Sequence, residues 1–120
     1  MSCFCSWKVT LISLTSASSI PEVRAVVDYF GGGSSKKNEL ESEVRNFPPL
    51  LILHGEEDNV VPVSMAYSLR DAVLAQGGEV EMKIYPNQPH GYNATWNPYY
   101  SESDAIDSFQ RTVDFLRRRL

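Results

Sequence analysis

Residues 48–55 read PPLLILHG, and this stretch decides the fold class. Its four consecutive aliphatic residues at 50–53 show no alternation, which is typical of a parallel strand covered on both faces by helices. A helix is predicted next, because residues 63–76 carry apolar side chains at helical spacing, with Pro62 suited to the first turn and two glycines after the end.

Two further strands are predicted on either side of this unit. Residues 22–30, EVRAVVDYF, are β-branched and aromatic ahead of three glycines, which indicates a buried strand. Residues 79–86, EVEMKIYP, alternate apolar and charged side chains, which indicates a strand nearer the sheet edge. Strand, helix and strand in succession imply right-handed crossovers. The predicted class is therefore α/β, with a mostly parallel sheet flanked by helices.

The C-terminal segment is predicted to be an amphipathic helix. Ser101 or Ser103 is its expected cap, and the arginines at 117–119 suit the negative end of the helix dipole. Residues 31–47 are polar and predict a surface excursion with a helical turn around 39–45. The apolar residues of the last helix fall on one stripe, which we expect to face the core: Ile106, Phe109, Val113, Leu116 and Leu120.

Composition and charge narrow the class of protein. A chain of 120 residues is one domain at most, and a net charge of -4 without a basic stripe argues against a nucleic-acid partner. Cys3 and Cys5 lack a second Cys/His pair, so neither a disulfide nor a metal site is predicted, and a reducing, cytoplasmic setting is expected. No stretch of the sequence approaches the roughly 20 apolar residues of a membrane helix, and we expect residues 1–19 to belong to the domain rather than to a signal peptide.

An aspartate and a histidine are predicted to meet at one edge of the sheet. Asp58 follows the strand at 48–55, and His90, in NQPHGYN, follows the strand at 79–86. Parallel strands end on the same edge, which is where open α/β sheets bind ligands. An aspartate against a histidine holds one imidazole tautomer and stabilises the imidazolium that forms on proton uptake. The alternatives are a simple turn residue in EEDN and a solvated loop histidine.

A family resemblance rests on several stretches of the chain. They are LLILHGEEDNVVP at 50–62, PHGY at 89–92, VRAVVDYFGG at 23–32 and the tail from Tyr92 to Leu116. Over roughly residues 20–120 the sequence resembles the C-terminal half of α/β-hydrolases, and its tail is similar to the dienelactone hydrolase branch. In that family the chain order is nucleophile, acid, histidine. The resemblance implies Asp58 as the triad acid and His90 as the triad base.

The nucleophile is the point at which the sequence departs from the family pattern. Members carry a G-x-S-x-G or G-x-C-x-G elbow, whose glycines permit a strained turn, and this sequence has no such motif. The resemblance places CFCSW in that frame, which implies Cys5 as the nucleophile, with Ser6 as the alternative; Cys3 and Trp7 then replace both glycines. The competing interpretation makes residues 1–19 a divergent or truncated start and Cys5 an ordinary thiol.

The resemblance also implies a division of the chain and a function. Residues 1–19 correspond to the nucleophile-helix region, and residues 20–120 to the C-terminal half of a partial α/β-hydrolase fold that lacks the N-terminal strands. The implied function is hydrolysis of a small-molecule ester or lactone by nucleophilic acyl transfer, with no cofactor and no metal. The alternative is a catalytically inactive fragment that binds or associates with itself or with a complementary half.

A partial sheet that lacks the N-terminal strands leaves one of its remaining strands without a neighbour on one side. The strand near 22–30 is expected to be an exposed, apolar edge. A second copy in a homodimer, or a complementary half, would cover it. The N-terminal segment is a further candidate, because apolar residues recur there at helical spacing: Phe4, Trp7, Leu11 and Leu14.

His54 and a group of aromatic residues each have two interpretations. His54 is expected to be packed or hydrogen-bonded, and a zinc site with Asp58 and His90 is the weaker alternative. The aromatic residues after His90 either line a substrate pocket or cap the last helix: Tyr92, Trp96, Tyr99 and Tyr100.

Overall fold

The computed structural model describes residues 2–5, as backbone, and residues 16–119. Its elements are β1 Ser2–Cys5, β2 Ala25–Tyr29, α1 Lys37–Glu43, β3 Leu50–Gly55, α2 Val63–Ala75, β4 Val80–Tyr85 and α3 Glu102–Arg119. The strands form a 4-stranded sheet in the order β1-β2-β3-β4, and every neighbouring pair is parallel. The predicted α/β class, a parallel sheet flanked by helices, is confirmed.

The strand β3 lies at the centre of two hydrophobic cores. All of its residues are buried. On one face Leu50 and Ile52 pack with apolar residues of α1 and α2. On the other face Leu51 and Leu53 pack with Phe115 of α3. Helices therefore cover both faces of this strand, which is why its sequence shows no polar alternation.

The helix α2 begins and ends close to the predicted positions. Its buried residues form the stripe Ala66, Leu69, Ala72 and Val73. Gly77 has φ +79°, and its N–H donates to the carbonyl of Leu74 at 3.0 Å while Gly78 donates to Val73 at 2.9 Å. This left-handed residue satisfies the last carbonyls of the helix and turns the chain towards β4.

The strand β2 is interior, so the expectation of an exposed edge near 22–30 is wrong. β1 lies alongside it, with Ser2 opposite Ala25 and Cys5 opposite Asp28. The helical spacing proposed from Phe4 is also wrong at that residue, because Phe4 lies within β1, opposite Val27 of β2. The other three residues of that spacing lie outside the described residues. Association with a second copy or a complementary half stays a prediction.

The helix α3 does not bury the stripe predicted from its sequence. Its buried residues are Ser108, Thr112 and Phe115, whereas Ile106 and Phe109 are 50% and 66% exposed. Hydrogen bonds account for this difference. The hydroxyl of Tyr29 on β2 lies 2.7 Å from Thr112 Oγ1 and 3.1 Å from the carbonyl oxygen of Ser108, which turns these polar residues inward. Of the remaining predicted members, Val113 is half-buried, Leu116 packs partly against the core and Leu120 is outside the described residues.

Both ends of α3 are held by charged or polar contacts. Ser101 Oγ accepts a long hydrogen bond from the N–H of Asp104 at 3.5 Å, which matches one of the two predicted caps. Arg118 forms a bidentate ion pair with Glu81 of β4 at 2.6 and 2.9 Å. The ion pair joins the end of the helix to the outer strand β4. Over the ranges that the structure describes, no helix combines the length and apolar character needed to cross a membrane.

Candidate active site

The carboxyl edge of the sheet gathers the predicted site residues. β3 ends at Gly55 and its loop carries Asp58, while β4 ends at Tyr85 and its loop carries His90. Gly55 and Tyr85 are paired in register, so the two loops leave the sheet side by side. The parallel direction of the strands thus brings together two residues that are far apart in sequence.

The carboxylate of Asp58 is buried and held by its own loop. Its Oδ1 accepts hydrogen bonds from the N–H groups of Val60 and Val61, both at 2.8 Å. These bonds close a turn that aims the second oxygen, Oδ2, away from the loop backbone. One oxygen of the Asp58 side chain therefore stabilises the turn, and the other can bind a partner residue.

That partner is His90. Its Nδ1 lies 2.8 Å from Oδ2 of Asp58. A carboxylate only accepts hydrogen bonds, so Nδ1 carries the proton and the neutral imidazole leaves Nε2 unprotonated. The Asp58 side chain is fully buried, whereas 27% of the His90 side chain is exposed. The imidazole therefore links a buried carboxylate to the open edge of the sheet, with Nε2 available to take up a proton.

A glycine permits the close approach of the two loops. A Cβ at Gly55 would clash with the carbonyl oxygen of Gln88. That same carbonyl accepts a hydrogen bond from the N–H of Glu57 at 3.0 Å, and the carbonyl of Tyr85 accepts one from Glu56 at 3.0 Å. Backbone bonds thus tie the β4 loop to the β3 loop and set the distance between their side chains.

The bend after His90 is held by an asparagine that sequence reasoning missed. Gly91 has φ +74°, a left-handed conformation that suits glycine. The side-chain amide of Asn97 donates to the carbonyls of His90 and Gly91 at 2.9 and 3.1 Å. No local motif announces this contact, because its acceptors are backbone carbonyls brought near by the path of the loop.

His54 is a hydrogen-bonded core histidine, as predicted. Its Nε2 donates to the carbonyl oxygen of Val61 at 2.8 Å and lies 3.4 Å from Oδ2 of Asp58. Burial lowers the pKa of His54, so the ring is neutral and the longer contact with Asp58 is not an ion pair. Among the residues that the structure describes, no three metal-ligating side chains are grouped to hold a metal ion.

A second buried aspartate, Asp28 at the end of β2, was not singled out from the sequence. It is completely buried, and within the described structure neither carboxylate oxygen has a hydrogen bond of normal geometry. Burial raises the pKa of Asp28 to about 7, and the nearby Gly31 amide offsets only part of this effect. A carboxyl group inside the apolar run AVVDY is the signal that could have identified it.

The nucleophile candidates are placed only through the backbone. Cys5 is the last residue of β1, and its register partner is Asp28. Since β1 is parallel to the other strands, this position lies at the same edge as the loops that carry Asp58 and His90. The alternative candidate, Ser6, lies outside the described residues.

The aromatic residues that follow His90 divide into two environments. Tyr92 is fully buried and packs against Phe30 and Tyr85, with ring centroids 5.0 and 4.8 Å away. Trp96 and Tyr99 are 83% and 69% exposed. Tyr92 therefore belongs to the core beneath the histidine, and the later aromatic side chains lie on the surface.

Comparison with solved structures shows that the chain has part of the α/β-hydrolase fold. A dienelactone hydrolase from Klebsiella pneumoniae, described as putative in its name, superposes with a TM-score of 0.77 at 23% identity, over 94% of this chain and 50% of that chain. An esterase from Thermogutta terrifontis, Est2, superposes with a TM-score of 0.78 at 14% identity, over 98% of this chain and 55% of that chain.

Comparison of sequences identifies the family. The profile of the dienelactone hydrolase family matches residues 4–120, and the chain belongs to this family. A "Putative carboxymethylenebutenolidase" of Escherichia coli strain K12 is 27% identical over 104 residues, which are 82% of this chain and 38% of the relative. A relative of the same name from Methylorubrum extorquens is 30% identical over 104 residues, 82% of this chain and 36% of its own length. The chain thus spans well under half the length of these relatives.

Proposed function

We propose that this chain contributes to the hydrolysis of a small-molecule ester or lactone by nucleophilic acyl transfer. The observation that carries the proposal is the 2.8 Å hydrogen bond between His90 Nδ1 and the buried carboxylate of Asp58. This bond leaves Nε2 as the free base at the edge of the sheet. Membership of the dienelactone hydrolase family supports the same reaction class.

In the proposed mechanism Cys5 supplies the nucleophile. His90 Nε2 takes the thiol proton, and the sulfur attacks the carbonyl carbon of the ester. The tetrahedral intermediate collapses as the C–O bond breaks, the leaving alcohol takes the proton from Nε2, and a thioester remains on the enzyme. Water then hydrolyses the thioester, with His90 as the base, to release the acid and restore the thiol. Asp58 keeps Nδ1 protonated throughout and stabilises the imidazolium.

The burial of Asp58 favours this role. Its Oδ1 is engaged with two backbone amides, so the carboxylate keeps its orientation while Oδ2 follows the histidine. Charge on the imidazolium is stabilised most strongly by a carboxylate that water does not screen. A buried, preorganised acid beside a partly exposed histidine is the arrangement that general base catalysis requires.

The test combines turnover with the location of the acyl group. We expect the purified chain to release p-nitrophenol from p-nitrophenyl acetate and to gain one acetyl group at Cys5 by intact and peptide mass spectrometry. His90→Ala should abolish both signals, and Cys5→Ala should abolish the adduct. Cys3→Ala is the matched control, because it removes the neighbouring thiol and should leave both signals unchanged.

Two results would decide against the mechanism. An adduct at Ser6 with full activity in Cys5→Ala would move the nucleophile to the serine while retaining the Asp58–His90 pair. Absence of both turnover and adduct in the folded chain would leave the non-catalytic alternative. Circular dichroism of each variant separates loss of chemistry from loss of fold.

Association is the second candidate function, and a specific observation favours it. Ile106 and Phe109 of α3 are exposed one turn apart, although they belong to the most apolar stripe of the helix. We propose that this face pairs two copies of the chain. Light scattering at increasing concentration should show a dimer that Phe109→Ser converts to a monomer; a monomeric wild-type chain at about 100 μM, where even a weak dimer is populated, would contradict it.

A further inference from the structure

Phe30 departs from the regular alternation of its strand. Successive side chains of β2 alternate between the two cores, with Val26 on the face of α1 and α2 and Val27 on the face of α3. Phe30 would fall on the Val26 side if the strand continued. It has φ +58°, and its side chain instead joins the core on the α3 face. A non-glycine residue in this backbone region is strained, so surrounding contacts must hold it there.

Those contacts connect Phe30 to the histidine. Its ring centroid lies 5.2 Å from that of His90, with an angle of 54° between the rings. On its other side the ring meets Tyr92 edge-on at 5.0 Å. Its N–H still donates to the carbonyl of Leu53 at 3.1 Å, which anchors the backbone to β3. The strained residue thus forms a bridge between the aromatic core and the imidazole.

A single hydrogen bond leaves an imidazole free to swing about it. The bond from Nδ1 to Asp58 sets the position of the His90 ring but only partly sets its plane. Contact with the buried ring of Phe30, which is 7% exposed, supplies a second constraint from another strand. The contact therefore limits rotation of the imidazole about its bond to Asp58.

We propose that Phe30 is a positioning residue for His90, which holds the imidazole against Asp58. The inference rests on the proposed function for its catalytic meaning. From β3 and its loop, Asp58 and His54 are the titratable groups that face His90, and His54 is kept neutral by burial. From β2, Phe30 faces it, and the side chain of Asp28 lies on the face of Val26, as strand alternation requires.

The test measures His90 directly by NMR titration. The chain has two histidines, so His90→Gln assigns the signals. Phe30→Leu should move the His90 titration to lower pH, because an imidazole that is free to turn spends less time against the Asp58 carboxylate. It should also move the acidic limb of the rate profile for p-nitrophenyl acetate by the same amount. Phe30→Trp, which keeps an aromatic face, should restore both values.

Phe47→Leu is the matched control, because Phe47 is a buried phenylalanine of the other core. It should leave the titration of His90 unchanged. In the wild-type chain, nuclear Overhauser contacts between the Phe30 ring and the imidazole protons are expected, and this measurement needs no variant to fold. Absence of those contacts, or an unchanged His90 titration in folded Phe30→Leu, would overturn the inference.

The inference and the proposed function fail separately. If the titration shifts as expected but the chain shows neither turnover nor adduct, the positioning of His90 by Phe30 stands and the hydrolase proposal falls. If His90→Ala abolishes turnover while Phe30→Leu changes neither the His90 titration nor the rate profile, the hydrolase proposal stands and Phe30 has no positioning role.

Discussion

The carboxyl ends of β2 and β3 each carry a buried aspartate, and their environments are opposite. Asp58 after β3 accepts hydrogen bonds from two backbone amides and from His90. Asp28 at the end of β2 has no hydrogen bond of normal geometry within the described structure, and burial raises its pKa to about 7. The same residue type meets several donors at one strand end and, among the described residues, no well-aligned donor at the other.

The difference shows that nearby backbone N–H groups outside the strand ladder, rather than the residue type, decide whether a buried carboxyl group can hold a charge. Asp58 lies in a turn, where the N–H groups of Val60 and Val61 are not engaged in a ladder and can bind it. Asp28 lies in a strand that is paired on both sides, where the neighbouring amides are committed to β1 and β3. At the same edge of the sheet, the loop after β3 is therefore built to hold a charge, whereas the end of β2 disfavours one.

The largest expected effect comes from altering the acceptor at Asp58. In Asp58→Asn the amide oxygen can still accept from the Val60 and Val61 N–H groups, but the amide nitrogen would face Nδ1 of His90. Nδ1 must then lose its proton and Nε2 gain one, which removes the base. We expect a loss of at least about 1,000-fold in the acylation rate.

The measurement is the rate of acyl transfer together with ¹⁵N chemical shifts of His90, which report the tautomer. Glu57→Gln is the control, because it alters an exposed neighbour in the same loop. A loss of less than tenfold, or an Nδ1–H tautomer that persists in the variant, would show that the carboxylate at the end of β3 has no special role.

The next effect comes from separating the two loops. Gly55→Ala places a methyl group against the carbonyl of Gln88, which is backbone and cannot rotate away. We expect the free energy of unfolding to fall by about 3 kcal/mol, as measured by urea denaturation. Gly77→Ala is the control: it has open space but a left-handed backbone, and should cost about 1 kcal/mol. Equal losses at the two sites would contradict the close approach.

Asp28, near the end of β2, should make the free energy of unfolding depend on pH. In the folded chain the pKa of Asp28 is about 7, against an ordinary value of 3.8. The folded state therefore binds more protons between these values, so the contribution of this site is complete below about pH 4 and is lost as the pH rises to about 7. Asp28→Asn should gain about 2–3 kcal/mol in unfolding free energy relative to wild type between pH 5 and pH 8.

Urea denaturation at the two pH values tests this expectation, with the exposed Asp114→Asn as the surface control. A difference between wild type and Asp28→Asn that stays constant with pH would mean that Asp28 is ionised in the folded protein. The contrast with Asp58 would then disappear.

The smallest expected effect concerns the bend after β4. Asn97→Asp replaces the donor to the carbonyls of His90 and Gly91 by a carboxylate but keeps an acceptor for the N–H of Tyr99. We expect a loss of about 1 kcal/mol in unfolding free energy. Faster hydrogen exchange should be confined to the loop around His90. Asn93→Asp adds the same charge to the same loop, and an equal loss there would attribute the effect to charge alone.

The sequence predicted the central strand, the helix after it and the contact of Asp58 with His90. Leu50 to Leu53 form an unbroken apolar run, and Pro62 and Gly77 bracket a clear helical period. These signals are local, or follow from the common direction of parallel strands. The prediction of a buried apolar stripe on α3 was wrong because polar residues of the helix form hydrogen bonds with the hydroxyls of Tyr29 and Tyr85. The Tyr85 hydroxyl donates to Asp107 at 2.7 Å.

The sequence by itself determined the α/β class, the order of strand, helix and strand, and the placing of an acid and a histidine at one sheet edge, because hydrophobic period and strand direction are written in consecutive residues. Only the tertiary structure decided that β1 covers β2, that Asp28 is buried without a well-aligned donor among the described residues and that Phe30 meets the His90 ring. Each of these depends on which atoms from distant segments become neighbours, and the free energy of a buried polar or aromatic group depends on those neighbours.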